Sequence, residues 1–219
     1  MSDALIIAHG SPADPLPQER WMQALAARVR MWLPDWRITG TTLALPGALE
    51  AAVARQPQAL IYPFFMAEGF FTRRQLPKRL AGAGMAGPRQ LPAFGHHPAL
   101  PALLAQVVAA QPGTVLLAAH GSQVSRASAT QTEALAETLR AATGRQILTG
   151  YVEEAPFLQE VARLDGPAFC LPLFATRAGH VAQDVPEALE SAGFQGTLLP
   201  AIGEHPEAAR LIAEALRAA

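Results

Sequence analysis

Leu5-Ile-Ile-Ala-His-Gly-Ser11 recurs as Leu116-Leu-Ala-Ala-His-Gly-Ser122, 111 residues further along the chain. In each copy an unbroken apolar run precedes the histidine, and such a run is typical of a parallel strand that is buried on both faces. The Gly-Ser pair that follows predicts a tight turn where the strand ends. The sequence therefore predicts two similar buried strands, each with a histidine at its carboxyl end.

Shorter matches connect the two halves of the chain, and their offset drifts only from 111 to 108 residues. Small loop deletions explain that drift, whereas chance does not. The breaker cluster Gln111-Pro-Gly113 marks the boundary, so we predict two sequence repeats, residues 1–111 and 112–219. The further matches are Thr39-Gly40 with Thr149-Gly150, Pro63-Phe-Phe65 with Pro172-Leu-Phe174, and Leu91-Pro-Ala-Phe-Gly-His-His-Pro98 with Leu199-Pro-Ala-Ile-Gly-Glu-His-Pro206.

Strand and helix patterns alternate within each repeat, which indicates an α/β protein with mainly parallel sheets. We predict two similar flavodoxin-like or Rossmann-like halves that face each other across a central cleft. A last short strand and a terminal helix (98–109 and 206–217) close the repeats. The other predicted strands are 4–8, 37–43, 59–65, 114–119, 146–152 and 168–174, and the other helices are 17–32, 46–55, 75–80, 125–142, 156–163 and 185–192.

The composition excludes several classes of protein. Of 219 residues 50% are hydrophobic and 16% charged, which excludes disorder. No apolar run is long enough to span a membrane, and a net charge of -1 gives no field for nucleic acid. The single cysteine, Cys170, excludes a disulfide scaffold and a cysteine-based zinc cluster. Since Asp3 comes too early for a signal peptide, we expect a cytoplasmic protein.

Histidines lie where ligands bind in open α/β sheets, beyond the carboxyl ends of the strands. His9 and His120 each end a first strand, and His180 follows the third strand of the second repeat. Two neutral imidazoles on neighbouring loops form half of a divalent metal site whose other positions stay open. We predict that His120 and His180 bind metal, the alternative being that they only cap strands. Phe71 replaces the second histidine in the first repeat, so His9 has no such partner.

With these residues the chain resembles the class II tetrapyrrole chelatases, the sirohydrochlorin chelatases of the CbiX and SirB type. The resemblance covers nearly the whole chain, as the duplicated long form. The family inserts cobalt or ferrous iron into sirohydrochlorin, for cobalamin or sirohaem biosynthesis, without an organic cofactor. The resembling motifs are Ala119-His-Gly-Ser122, Tyr151-Val-Glu-Glu-Ala-Pro156, Pro172-Leu-Phe174, Gly179-His-Val-Ala-Gln-Asp-Val-Pro186 and the closing Leu-Pro-x-x-Gly-x-His-Pro.

The resemblance implies that His120 and His180 bind the metal ion and face the macrocycle. It also implies a carboxylate near them, which is either Glu153 or Glu154. Metallation removes two pyrrole protons, and a carboxylate or an imidazole can accept them. The expected catalytic residues are therefore His120, His180, Glu153 and Glu154.

Four further residues are candidates for substrate binding. Phe71, together with Phe70, would present an apolar wall to the cleft, and His9 is the strand-end histidine of the same repeat. Arg126 and Arg177 would bind anionic side groups of the tetrapyrrole, although an exposed arginine is more often simply solvated. We expect a tetrapyrrole and a metal ion as the partners, neither nucleic acid nor membrane, and a monomer in which the internal repeat replaces a homodimer.

Two other functions stay open. The protein could be a metal or tetrapyrrole carrier that descends from a chelatase and has lost turnover. A hydrolase or phosphotransferase with a histidine nucleophile is less favoured, because Ala8 and Ala119 precede the histidines where histidine phosphatases have arginine. The chain also lacks a glycine-rich phosphate loop and a clear Ser-His-Asp order.

Overall fold

Each His-Gly-Ser motif follows the central strand of its own parallel sheet. The structure is a computed structural model that describes residues 2–123, 126–176 and 180–219, without the side chains of residues 127 and 180–182. It divides into two units, of which the first contains Met1–His97 with Pro206–Ala219 and the second contains Pro98–His205. Within the described ranges, no helix combines the length and apolar character that a membrane span needs.

The first unit contains a sheet of three parallel strands in the order β2-β1-β3. A π-helical turn, Phe71–Gln75, leads directly into its third helix, and a 3₁₀ turn, Phe94–His96, follows later. Its elements in chain order are β1 (Ser2–Ala8), α1 (Pro15–Trp32), β2 (Trp36–Thr42), α2 (Ala48–Arg55), β3 (Leu60–Pro63) and α3 (Leu76–Gly82).

The second unit contains four parallel strands in the order β5-β4-β6-β7. After a 3₁₀ turn, Ile202–Glu204, the chain returns to the first unit and ends there with α8 (Ala208–Arg217). The predicted α/β class with parallel sheets is confirmed. The elements of the second unit are α4 (Leu100–Ala109), β4 (Thr114–Ala119), α5 (Ala127–Thr143), β5 (Ile147–Tyr151), α6 (Leu158–Val161), β6 (Ala168–Pro172), α7 (His180–Ser191) and β7 (Thr197–Leu198).

The apolar runs become central strands because both of their faces are buried. In β1, Leu5 and Ile7 pack with α2 and α3, and Ile6 between them is also fully buried. In β4, Leu116 and Ala118 pack with α6 and α7 in the same way. Burial of apolar surface contributes about 25 cal/mol per Å² to the stability of the fold. Each histidine therefore follows a strand that is well buried in the core of its unit.

The final helices of the two repeats are exchanged between the units. α4, which ends the first repeat, packs on α5, whereas α8 packs on α1 and β3. The compact units therefore differ from the predicted domains 1–111 and 112–219 in these two helices. The reason is that α4 buries its apolar side chains on the second unit, and α8 buries its own on the first. The division of the sequence into repeats at residue 111 stays a prediction.

Three local expectations were wrong. α7 begins at His180 rather than at residue 185, so His180 is the first residue of a helix and not part of a loop. The predicted bounds put Pro186 at the second position of this helix, where proline is common, but Pro186 lies inside α7. In the first unit the expected fourth strand is, among the described residues, a single bridge between Ile61 and Gln90.

Candidate metal and substrate site

His120 is held by a tight turn at the carboxyl end of β4. Gly121 has φ +73°, and a Cβ atom at this position would lie 2.9 Å from Glu154 Cγ and 3.0 Å from Tyr151 Cβ. Glycine is thus required both by the left-handed backbone and by the close approach of the neighbouring loop. The turn leaves the His120 side chain 43% exposed, so the imidazole is accessible to a ligand.

Glu153 lies beside His120 because the pairing of β4 and β5 continues past the strand ends. The N–H of Val152 donates to the carbonyl of Ala119 at 3.1 Å, and the N–H of Glu153 donates to the carbonyl of His120 at 2.9 Å. As a result, Glu153 Oε2 lies 3.6 Å from His120 Nδ1, and the Glu153 side chain is 40% exposed. An imidazole and a carboxylate thus lie side by side at this edge of the sheet.

The separation of these two side chains fits shared coordination of one ion. Imidazole nitrogen binds first-row transition metals, and a carboxylate oxygen can complete the ligand set. Two ligands at about 2.1 Å from a tetrahedral ion lie roughly 3.4 Å apart, close to the 3.6 Å between His120 Nδ1 and Glu153 Oε2. No third His, Cys, Asp or Glu completes a metal cluster among the described residues. The side chain of His180, the other predicted ligand, lies outside them.

Glu154 points elsewhere. Its Oε1 accepts a hydrogen bond of 2.9 Å from the backbone N–H of Ser122, and its Cγ lies over Gly121. Sequence reasoning left Glu153 and Glu154 as interchangeable candidates. The structure separates them, since Glu153 faces the imidazole and Glu154 contacts the turn that carries it.

Sequence reasoning missed a polar cluster behind this site. The Tyr151 hydroxyl donates to Glu133 Oε1 at 2.8 Å, and the hydroxyl of Thr149 donates to the same oxygen. Burial and the Glu133 carboxylate raise the pKa of Tyr151, which keeps the hydroxyl protonated as a donor. The cluster ties α5 to the end of β5. No sequence signal marked it, because Glu133 and Glu137 are both ordinary acidic residues of an amphipathic helix.

In the first unit, His9 is held differently. Its Nδ1 donates to the carbonyl of Gly10 at 2.8 Å, and the Phe71 ring meets the imidazole edge-on at 4.5 Å between centroids. Phe70 and Phe71 are 61% and 42% exposed. The structure thus brings together His9 and Phe71 at an exposed apolar edge. Ala44 lies against the Gly10 turn where Glu154 lies against Gly121 in the second unit.

A second carboxylate that sequence reasoning missed is buried in the first unit. Glu19 on α1 accepts hydrogen bonds from the backbone N–H of Thr42 at 2.8 Å and from its hydroxyl at 3.0 Å. It thereby satisfies the polar groups at the end of β2.

Of the two arginine candidates, Arg126 is exposed immediately before α5, and Arg177 lies outside the described residues.

Comparison with known proteins places this fold and these motifs in one family. The CbiX family profile matches residues 114–219. The solved structure of CbiX, described as the terminal enzyme for biosynthesis of siroheme in denitrifying bacteria, is 47% identical over 99% of both chains, with a TM-score of 0.90. The comparison with curated proteins gives no match.

More distant structures share the fold. SirB from Bacillus subtilis, solved with Fe³⁺, is 16% identical over 99% of this chain and 95% of its own, with a TM-score of 0.71. A multi-domain Deinococcus radiodurans protein with structural similarity to chelatases is 20% identical over 98% of this chain and 54% of its own, at 0.68. The identity to CbiX over nearly the whole chain is decisive: the protein belongs to the CbiX family of chelatases.

Proposed function

We propose that this protein is a sirohydrochlorin chelatase, which inserts divalent cobalt or iron into sirohydrochlorin for siroheme or cobalamin biosynthesis. The observation that carries the proposal is the exposed His120–Glu153 pair, with 3.6 Å between Nδ1 and Oε2. It lies at the carboxyl edge of a parallel sheet in a chain 47% identical to CbiX, the terminal enzyme of siroheme biosynthesis. SirB, which shares the fold, is described as a sirohydrochlorin chelatase and was solved with cobalt.

The metal ion is a substrate in this reaction, and the protein must both hold and release it. We assign His120 and His180 as imidazole ligands, with Glu153 as the neighbouring carboxylate. Neutral imidazole releases a metal ion more readily than a thiolate does, which suits transfer to the ring nitrogens. The exposure of His120 and Glu153 leaves room for the macrocycle to approach the ion.

Insertion also requires that two pyrrole protons leave the ring. Glu153 is the proposed acceptor, because its carboxylate lies beside the imidazole and is accessible. When the ion moves to the ring nitrogens, the Glu153 carboxylate is free to take up one proton and the His120 imidazole can take up the other. General acid–base help of this kind is typically worth ~10²–10⁴-fold in rate.

The substrate-binding candidates divide by chemistry. The exposed edge formed by Phe71 and His9 suits the apolar face of a macrocycle. Arg126, exposed before α5, and Arg177 suit the anionic side groups of the ring. These four assignments rest on residue type and on position at the carboxyl edges of the sheets.

A metal-insertion assay tests the proposal. Purified protein is mixed with sirohydrochlorin and Co²⁺ or Fe²⁺, and the absorption change of the macrocycle gives the initial rate. We expect insertion well above the uncatalysed rate, and a loss of at least about tenfold in Glu153→Gln, because the amide cannot accept the proton. Binding of metal and macrocycle without any acceleration would contradict the proposal and favour a carrier.

A further inference from the structure

The turn that carries His120 is held from both sides by the loop after β5. On one side the backbone N–H of Glu153 donates to the His120 carbonyl at 2.9 Å. On the other side the Glu154 carboxylate accepts from the N–H of Ser122, also at 2.9 Å. The backbone on both sides of the His120 side chain is therefore held in place.

The first unit shows the same turn without such a carboxylate. Gly10 has φ +80° and Gly121 has φ +73°, so the backbone turn forms in both units. In the first unit, Ala44 supplies only a methyl group against the turn. There the histidine ring bonds back to its own turn, through Nδ1 of His9 and the carbonyl of Gly10. The carboxylate is thus not needed to form the turn.

We infer that Glu154 is a positioning residue for His120: its carboxylate fixes the Ser122 N–H and so aims the imidazole at the shared ion and at Glu153. This inference rests on the proposed function, and it concerns the acceptor oxygen of Glu154 rather than its charge. Residues that orient a metal ligand from the outer shell typically contribute 10–100-fold to metal affinity or activity.

Two conservative variants separate acceptor position from charge. Glu154→Gln keeps an oxygen at the same reach and loses the charge. Glu154→Asp keeps the charge but withdraws the oxygen by one carbon–carbon bond, about 1.5 Å, which breaks a 2.9 Å hydrogen bond. We expect Glu154→Gln to keep the insertion rate and Co²⁺ affinity within about twofold, and Glu154→Asp to lose about tenfold in both.

Glu160 provides a matched control. It accepts a hydrogen bond from the backbone N–H of Phe157 at 3.2 Å, outside the site. Glu160→Asp and Glu160→Gln should leave insertion unchanged. A pattern in which Glu154→Asp is active and Glu154→Gln is impaired would overturn the inference, because charge would then be the cause. Equal rates in both variants, whether full or reduced, would overturn it as well.

A readout that does not depend on catalysis distinguishes this inference from the proposed function. The ring signals of His120 in ¹H–¹³C NMR spectra report its orientation without metal or substrate. We expect them to be unchanged in Glu154→Gln and shifted or doubled in Glu154→Asp. If the unmodified protein inserts no metal, the proposed function fails, while the ring signals still decide whether Glu154 positions His120. Unchanged signals in both variants would contradict the inference.

Discussion

The His97 imidazole is buried at the end of the first segment of its unit, against α8. Burial lowers its pKa, and the charge of Arg210 acts in the same direction. The Glu214 carboxylate and a backbone hydrogen bond with Leu211 act in the opposite direction, but burial is the largest effect. His97 is thus a buried packing residue of this unit.

This burial predicts how stability depends on pH. In the unfolded chain the imidazole titrates near its ordinary pKa of about 6.5, whereas the folded protein resists protonation. The contribution of neutral His97 is therefore fully present above that value and is lost as pH falls toward the lower folded pKa. Urea unfolding at pH 7.5 and pH 5.5 should show a smaller pH dependence in His97→Asn than in the unmodified protein.

His96 is the control, since it is the exposed neighbour of His97. His96→Asn should keep the pH dependence of the unmodified protein. The explanation is wrong if His97→Asn and the unmodified protein lose the same free energy of unfolding between the two pH values.

The candidate site was only partly predictable at the level of residues. The sequence places His120 and Glu153 after neighbouring strands, and the structure brings them within 3.6 Å. It could not separate Glu153 from Glu154, because adjacent loop residues point in different directions that depend on strand register. Nor could it predict the cluster of Tyr151 and Glu133, which depends on how α5 packs.

At the level of elements, the register of the second strand corrects the alignment of the repeats. The sequence matched Thr39-Gly40 with Thr149-Gly150, but Gly40 pairs with Ile6 while Thr149 pairs with the equivalent residue, Leu117. The alignment is thus wrong by one residue in this strand. Gly40 faces α1 and Gly150 faces α6. The two glycines that the sequence comparison matched therefore lie on opposite faces of their sheets.

The packing of α1 on β2 depends on Gly40. A Cβ atom there would lie 1.9 Å from the backbone carbonyl oxygen of Met22, which no side-chain movement can relieve. Gly40→Ala should destabilise the protein by about 1–3 kcal/mol or more, as overpacking of a core does. The free energy of unfolding in urea measures this cost.

Gly82, the last residue of α3, is the matched control. Nothing lies within 4 Å of a Cβ atom built at this position. Gly82→Ala should therefore be neutral or stabilising by about 0.5–1 kcal/mol, since alanine restricts the unfolded chain. Equal stabilities of Gly40→Ala and Gly82→Ala would contradict the packing described here.

For the whole molecule, the exchange of α4 and α8 is the feature that the sequence could not show. Both helices end a repeat, but α4 is apolar at almost every position whereas α8 is strongly amphipathic. Neither pattern by itself says which unit the helix will cover. The α/β class, the parallel sheets and the family were predictable, because they depend on buried strands and on motifs at strand ends. Which unit a terminal helix packs on depends instead on contacts between residues that are far apart in the sequence.

The two units also differ in chemistry, although their central strands end alike. The second unit has His120 beside Glu153, whereas in the first unit His9 bonds its own turn and contacts Phe71. Of the two similar strand ends, the second thus presents an exposed imidazole beside a carboxylate. We therefore predict that metal insertion depends on the second unit.

The most direct measurement is the initial rate of Co²⁺ insertion into sirohydrochlorin by His120→Ala and by His9→Ala in the full chain. We predict that His120→Ala loses at least about 100-fold, because a metal ligand next to the proton acceptor is gone, and that His9→Ala loses less than about threefold. Equal losses in the two variants would contradict the claim, since the first unit would then take an equal part in the reaction.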